Sequence, residues 1–455
     1  MSQLPKGWVT STIGEACLIE NGLRKPISLK ERANCQGEFP YYGATGVIDY
    51  LNSYTHEGEY VLIGEDGANL LSKSKPLAFI ANGKYWVNNH AHTLRCLAGS
   101  PNLYLEKYFN SLSLESWVTG SAQPKLTKKN LESIPFPLAP LAEQTRIVEK
   151  LDEVLAQVDT IKARLDGIPA ILKRFRQSVL AAAVSGKLTE EWRGSRDYIQ
   201  YGLQLAKRDQ SLDIPENWKP QKLEDSCGIV SGNAFKSKDL LDSGDVPVVK
   251  ISNVQYGKFE VKNQQFLPSS FLDGHKKYLI VEDDLLMALT RPITNGTLKV
   301  CRYPVNQTDG LLNQRVCKFE FKNNEEKNFF ELLFQSSYFK EQVEDNLSET
   351  LQPNLSPKDL KRLLVFIPEL DEQKEIVRLV DQYFAFADTI EAQVKKAQAR
   401  VDKLTQSILA KAFRGELVPQ DPSDEPADKL LERIAAARKE AEALAKAAKK
   451  AVEHN

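Results

Sequence analysis

The sequence is poor in several residues that would announce a chemistry. Of its 455 residues only 5 are histidine and 2 are methionine, and the 6 cysteines, Cys17, Cys35, Cys96, Cys227, Cys301 and Cys317, form no CxxC pair. This usage excludes a dense disulfide framework and reads as reduced thiols in a cytosolic protein. Neither sign of charge is in excess: 60 Lys and Arg stand against 61 Asp and Glu, a net charge of -1. Binding to nucleic acid through bulk charge is thereby excluded, and any phosphate contact has to come from local patches or from partners. No run of about 18 apolar residues occurs and no basic, apolar leader opens the chain, so it reads as neither exported nor membrane-spanning, hence cytoplasmic. The phosphate loop GxxxxGK with Ser or Thr, the GxGxxG fingerprint, and NPPY-type and FxGxG-type segments are all missing. ATP hydrolysis, dinucleotide chemistry and adenine methylation are therefore unsupported within this chain.

What is present is a repeat. LAEQTRIVEKLDEVLAQVDTIKARL, from Leu141 to Leu165, returns as LDEQKEIVRLVDQYFAFADTIEAQV, from Leu370 to Val394, about 229 residues on. LPKGW at Leu4–Trp8 answers IPENW at Ile214–Trp218, and Cys17 with Gly22 answers Cys227 with Gly232, at an offset of about 210. QPKLTKKNL from Gln123 and QPNLSPKDL from Gln352 have already moved to the larger offset, so the second globular part has gained about 19 residues internally. The helical segments match well and the globular parts only in scattered runs. That contrast implies one shared job for the helices and two related but different jobs for the heads.

The helical segments carry a heptad seam: Ile147, Leu151, Val154, Val158, Ile161, Leu165, Leu172, Phe175 and Val179 in the first, and Ile376, Val380, Tyr383, Ile390, Val394, Val401, Leu404 and Ile408 in the second. Two matched seams of alternating four and three steps predict a coiled coil, and equivalent helices in one chain close naturally as an antiparallel pair. Gly167 and Pro169 predict a kink or short break near Asp166–Pro169. Gly186 and Gly415 are placed as left-handed C-terminal caps. From Ile147 to Val179 the rise is roughly 48 Å, about 14 base pairs of B-DNA.

Short strands between glycine-rich turns fill both globular parts, as in FPYYGATGVIDYL and DVPVVKISNVQYGKFEV. The expected fold is α+β: two β-rich α/β domains in tandem, separated and joined by two long helices forming an antiparallel coiled coil with pseudo-twofold symmetry. Boundaries are set at 1–140 for the first domain, 141–189 for the central helix, 190–213 for a connection, 214–369 for the second domain and 370–418 for the C-terminal helix. A linker and polar helical tail occupy 419–455, the tail expected to be a solvated helix or mobile, with a partner-docking helix second. Cations interleaved with amides and aromatics are what reading base edges and phosphates requires. The candidates are Arg24, Lys25, Lys73, Lys75, Lys84, Tyr85, Asn88, Asn89 and His90 in the first domain, and Lys236, Lys238, Lys250, Asn253, Arg291, Asn295, Asn313, Gln314 and Arg315 in the second. His90 and His92 share a strand-face spacing but have no supporting ligand cluster, so a polar strand end is expected there instead of a metal site. Glu372-Gln373-Lys374 imitates part of a nuclease site, yet its place at a helix start and the missing lysine in its repeat partner make coincidence the better account.

LPKGW, PLAEQ ahead of the first helix, ILKRFRQSVLAAAVSGKLTEEWR at its end, and ADTIEAQV with LTQSILAKAFRGEL in the second resemble the specificity subunit of type I restriction-modification enzymes. The resemblance covers the chain to about Val418 and is most specific in the helices. It implies a non-catalytic subunit whose two target-recognition domains each read half of a bipartite site in double-stranded DNA, with the helices setting the gap. It also implies two modification (methyltransferase) subunits as partners, which supply S-adenosylmethionine, and restriction/translocase subunits that use ATP and magnesium, with no cofactor or metal held by this chain. The divergence between the heads points to an asymmetric target. A coiled-coil scaffold with protein-binding ends is the rival reading, distinguished by apolar loop surfaces and salt-insensitive binding.

Overall fold

A computed structural model describes residues 4–120, 123–205 and 209–453. Two compact units emerge, one comprising residues 1–166 with 396–455 and the other residues 167–395. Each therefore combines a β-rich head with the N-terminal part of one long helix and the C-terminal part of the other.

The heads share a topology despite their diverged sequences. In the first unit an antiparallel sheet runs Cys17–Ile19, Ala91–Cys96, Tyr60–Gly64, Ala78–Ala81, and a second runs Gly46–Leu51, Gln36–Gly43, Lys84–Val87, His56–Glu57. The second unit repeats both orders: Gly228–Ser231, Val316–Glu320, Leu285–Ala288, Val300–Arg302, and then Gln265–Leu267, Val246–Val249, Gly310–Leu312, Leu279–Ile280. Even the parallel pair recurs, Gln36–Gly43 with Lys84–Val87 and Val246–Val249 with Gly310–Leu312. Two-stranded ribbons, Val9–Thr12 with Pro135–Leu138 and Lys219–Lys222 with Leu364–Ile367, tie the start of each head to its end. The extra residues of the second head include the hairpins Val254–Gln255 with Lys258–Phe259 and Ile293–Thr294 with Thr297–Leu298. Asn295 and Gly296 turn the latter with φ of 52° and 74°, the left-handed pair that a tight two-residue hairpin needs.

The first long helix spans Leu141–Val184 and the second Leu370–Ala412. The expected break at Asp166–Pro169 is absent: the helix continues through Gly167 and Pro169, where one missing N–H donor is not enough to end a helix of 44 residues. In the first unit Lys162 Nζ meets Asp402 Oδ1 at 3.0 Å and Gln398 Nε2 donates to Asp166 Oδ1 at 2.7 Å, so the strands of the pair run antiparallel. In the second unit Arg176 reaches Asp388 at 2.6 Å, and the rings of Phe175 and Tyr383 meet edge to face. Ile147, Leu151, Val158, Leu172, Val179, Ile376, Val380, Val394 and Ile408 of the expected seam are buried, and Val154, Leu165, Phe175, Ile390 and Val401 are partly covered. Ile161, Tyr383 and Leu404 stay 45%, 40% and 48% exposed, because away from the heads a helix has only one partner to cover it. Both caps form. Gly186 and Gly415 each take φ 72°, and Gly415 N–H and Glu416 N–H donate to the carbonyls of Ala412 and Lys411 at 3.2 and 2.9 Å.

A repeated buried contact fixes each head to a helix start. Trp8 Nε1 donates to Glu143 Oε2 at 2.9 Å, and Trp218 Nε1 donates to Glu372 Oε2 at 3.1 Å. Both carboxylates are 1% exposed. Glu372 has company: Arg193 Nη1 at 2.6 Å and Thr189 Oγ1 at 2.8 Å both donate to its Oε1. Glu143 has no such cation, its Oε1 is buried without a partner among the described residues, and burial raises its pKa.

Two segments differ from expectation. Residues 190–213 are more than a connection: Glu190–Arg193 is a helical turn that supplies Arg193, and Tyr198–Gln204 pairs with Asp209–Pro215. The tail is not a free helix. Ala427–Glu453 is helical, and Ala427, Leu430 and Ile434 are buried in the core of the first unit. Ala427 N–H donates to Gly7 O at 2.9 Å, Arg146 grips Asp424 at 2.6 Å, and Arg438 Nη2 donates to the carbonyls of Glu15 and Cys17.

Candidate nucleic-acid interface

At one end of the sheets each unit gathers loops into a tip, and the two tips are built on the same hydrogen bonds. In the first unit Glu65 N–H donates to His90 O at 2.8 Å, Leu126 N–H to Glu65 O at 2.7 Å, and Gly67 N–H to Pro124 O at 3.0 Å. In the second, Leu289 N–H donates to Arg315 O at 2.8 Å, Leu355 N–H to Leu289 O at 2.8 Å, and Arg291 N–H to Pro353 O at 2.7 Å. Bridges between Asp66 and Lys125 and between Thr290 and Asn354 complete the match. Glu65 is thus equivalent to Leu289, Gly67 to Arg291, and Asn88-Asn89-His90 to Asn313-Gln314-Arg315.

The asparagine of each triplet organises the turn. Asn88 Oδ1 accepts the N–H of His90 at 2.8 Å, and Asn313 Oδ1 accepts that of Arg315 at 3.3 Å. Their own N–H groups bond the carbonyls of Tyr42 and Val249, at 3.1 and 3.0 Å. A short amide side chain that closes on the backbone two residues later is a compact way to hold a turn. The next two side chains, Asn89 with His90 and Gln314 with Arg315, are exposed in both units. The frame is common and what it displays is not.

The other sequence candidates divide between display and support. Lys25, Lys75, Lys84, Lys236, Lys238, Arg291 and Asn295 are exposed. Lys25 lies over the Trp86 ring and Lys84 over the Tyr54 ring, with ammonium-to-centroid distances of 5.9 and 4.7 Å. Tyr85, Asn88 and Asn253 are buried and cannot face a duplex: Tyr85 alternates inward on Lys84–Val87, and Asn253 Nδ2 donates to Glu260 O at 2.9 Å. Arg24 is spent on Glu65 at 2.6 Å and on the carbonyl of Ala91 at 3.0 Å. Lys73 caps the end of helix Asn102–Ser111 through the carbonyls of Asn110 and Leu112, and Lys250 bonds Gln265. These six were chosen by residue type; partners within the fold hold them as supports.

His90 is exposed with its Nδ1 2.9 Å from Asp66, whereas His92 is buried between Asn21 and the carbonyl of Leu126. Burial holds the His92 pKa down. Among the described residues no three His, Cys, Asp or Glu side chains converge on a common point, and no helix is long and apolar enough to cross a membrane. Glu372 of the nuclease-like triplet is committed to Trp218, Thr189 and Arg193.

Residues 5–170 and 215–398 match the family described as type I restriction modification DNA specificity domain. The Escherichia coli protein described as type I restriction enzyme EcoDI specificity subunit is 30% identical over 451 residues, covering 96% of both chains. The EcoKI specificity subunit of Escherichia coli strain K12 is 37% identical over 348 residues, covering 73% of this chain and 69% of its own. In fold, the HsdS subunit from Thermoanaerobacter tengcongensis is similar with a TM-score of 0.53 at 18% identity, covering 91% of this chain and 98% of that one.

Proposed function

This chain belongs to the type I restriction-modification DNA specificity family, and from that premise we propose that its two tips each read one half of an asymmetric, bipartite site in double-stranded DNA. The supporting observation is the common frame with unlike display: Asn89 and His90 project from one tip, Gln314 and Arg315 from the other. A shared scaffold keeps the approach to the groove alike, and different exposed side chains select different bases.

In this reading the long helices set the unread gap and carry the docking faces for two modification subunits. Ile171 and Phe386, outside the heptad seam yet 56% and 58% exposed, are the apolar positions proposed for that contact. S-adenosylmethionine would be supplied by those partners, and ATP and magnesium by restriction subunits, which leaves this chain to recognise sequence.

One heptad inserted into both helices lengthens each by about 10.5 Å, or roughly three base pairs. Mapping the adenines methylated by the assembled complex should then give the same two half-sites with a longer gap. An active complex with an unchanged gap would contradict the spacer role.

A further inference from the structure

The two tips differ in charge as well as in side chain. In the first unit the cations around the tip are answered by acids: Arg24 and Lys125 reach Glu65 at 2.6 and 3.3 Å, and His90 meets Asp66 at 2.9 Å. At the equivalent places the second unit has Leu289 and Thr290, so the acids are gone, and its cations stand at other positions: Arg291 replaces Gly67 and Arg315 replaces His90, while Asn354 takes the place of Lys125. Arg291 and Arg315 are exposed and Lys299 is half-buried. Among the described residues none of the three has a carboxylate within ion-pair distance.

Burial, together with the positive charge of Arg291, holds the Lys299 ammonium below its ordinary pKa. Lys299 N–H donates to the carbonyl of Pro292 at 2.7 Å, which sets it beside Arg291 at the base of the hairpin. Two cations held there without a counter-ion, one of them partly out of water, form a place that an anion would stabilise. The backbone adds a second observation. Arg291 adopts φ 46° where its equivalent Gly67 has φ 108°, so an arginine occupies a left-handed position that suits glycine. Its N–H bond to Pro353 O, at 2.7 Å, holds it there. Arg315 projects from the turn fixed by Asn313, and a guanidinium offers the paired donors that match O6 and N7 of guanine.

We propose that the second unit is the anchoring head of this protein: Arg291 and Lys299 take a backbone phosphate, and Arg315 reads a guanine in the major groove. The proposal rests on the DNA-reading function above and adds the chemistry of one half-site. The corresponding turn of the first unit, where Glu65 and Asp66 answer Arg24, Lys125 and His90, contributes base contacts and adds little counter-ion release of its own.

Equilibrium binding of the full chain, assembled with its modification partner, to a duplex carrying its own methylated motif tests this across a series of KCl concentrations. Arg291→Ala and Lys299→Met should each flatten the slope of log affinity against log salt, by up to about 0.9 for the shared phosphate, on every sequence alike. Arg291→Lys should keep the slope, and His90→Ala should leave it unchanged. Arg315→Ala and Arg315→Lys should both lose roughly 10- to 100-fold of discrimination at one base pair of the second half-site. A 7-deazaguanine at that pair should impose the same loss on the wild type and no further loss on Arg315→Ala. Unchanged slopes in both phosphate variants, a second half-site of A·T pairs alone, or indifference to 7-deazaguanine would overturn the proposal. Failure of the wild-type complex to bind its motif in a salt-dependent way would instead sink the DNA-reading function itself.

Discussion

Glu143 and Glu372 occupy equivalent places under equivalent tryptophans, yet the same substitution should act on them oppositely. In Glu372→Gln one oxygen becomes an amide nitrogen. Donors now converge on Oε1 from Arg193 and Thr189, and on Oε2 from Trp218, with donor–acceptor distances between 2.6 and 3.1 Å, so one group must face another donor. Arg193, with a side chain 7% exposed, loses its only ion-pair partner among the described residues. Stranding one member of a buried pair costs about 3–5 kcal/mol. Glu143→Gln removes a buried charge that has no ion-pair partner among the described residues, the nearby Arg146 being held by Asp424, and the new amide oxygen can still accept from Trp8. Its effect at neutral pH should be below about 1 kcal/mol and in the stabilising direction. Hydrogen exchange by mass spectrometry across a denaturant series separates the units, through amides of Lys219–Lys222 for one and Val9–Thr12 for the other. The pH dependence adds a sign. Because burial raises the Glu143 pKa, the native state keeps this proton to higher pH than the unfolded chain, and stability is lost as pH rises from the ordinary carboxylate pKa through the raised one. Glu143→Gln should abolish that part of the slope. Equal losses at both sites, or a loss under about 1 kcal/mol for Glu372→Gln, would refute the reasoning.

Three further outcomes are expected. His56 is buried against Tyr85, and burial holds its imidazole down at about 4, so the unfolded chain takes up the proton first as pH falls. The first unit should lose stability between pH 6.5 and about 4, by about 2 kcal/mol once solvent screening is allowed for, and His56→Phe should flatten that part of the melting curve. Leu430→Ala or Ile434→Ala, in the tail helix, should cost the first unit about 2–5 kcal/mol and leave exchange in the second unit unchanged; equal protection in both would return the tail to a solvated role. A Cβ at Gly186 or Gly415 would lie 2.3 Å from Pro215 or Pro5, in a left-handed residue, so either alanine variant should lower the unfolding free energy of its own unit by about 1–3 kcal/mol in chemical denaturation.

Much of the scaffold was legible in the sequence because it rests on periodicity. The four-three steps from Ile147 and from Ile376 mark helices whose buried faces repeat, and the glycines at 186 and 415 mark where they stop. Pro169 misled because its local penalty is outweighed by the continuous helix on either side. The tail misled for the opposite reason: Ala427, Leu430 and Ile434 are too few to mark a core face until the surface that receives them is known. The buried Glu143 and Glu372 left a signal in the repeated Glu-Gln beside repeated tryptophans, which composition alone reads as a solvated helix start. At the tips, residue type could not separate exposed side chains from those held inside the fold. Alternation on Lys84–Val87 would have turned Tyr85 inward, whereas the burial of Asn253 depends on carbonyls distant from any pattern.

The central claim is that each unit reads its own half of one site. Mapping the adenines methylated by the assembled complex, for the wild type, for Asn89→Ala with His90→Ala, and for Gln314→Ala with Arg315→Ala, tests it most directly. The account predicts a bipartite, asymmetric motif in the wild type and a relaxation confined to a different half in each variant. A continuous or palindromic wild-type motif, or both halves relaxing together in either variant, would contradict it.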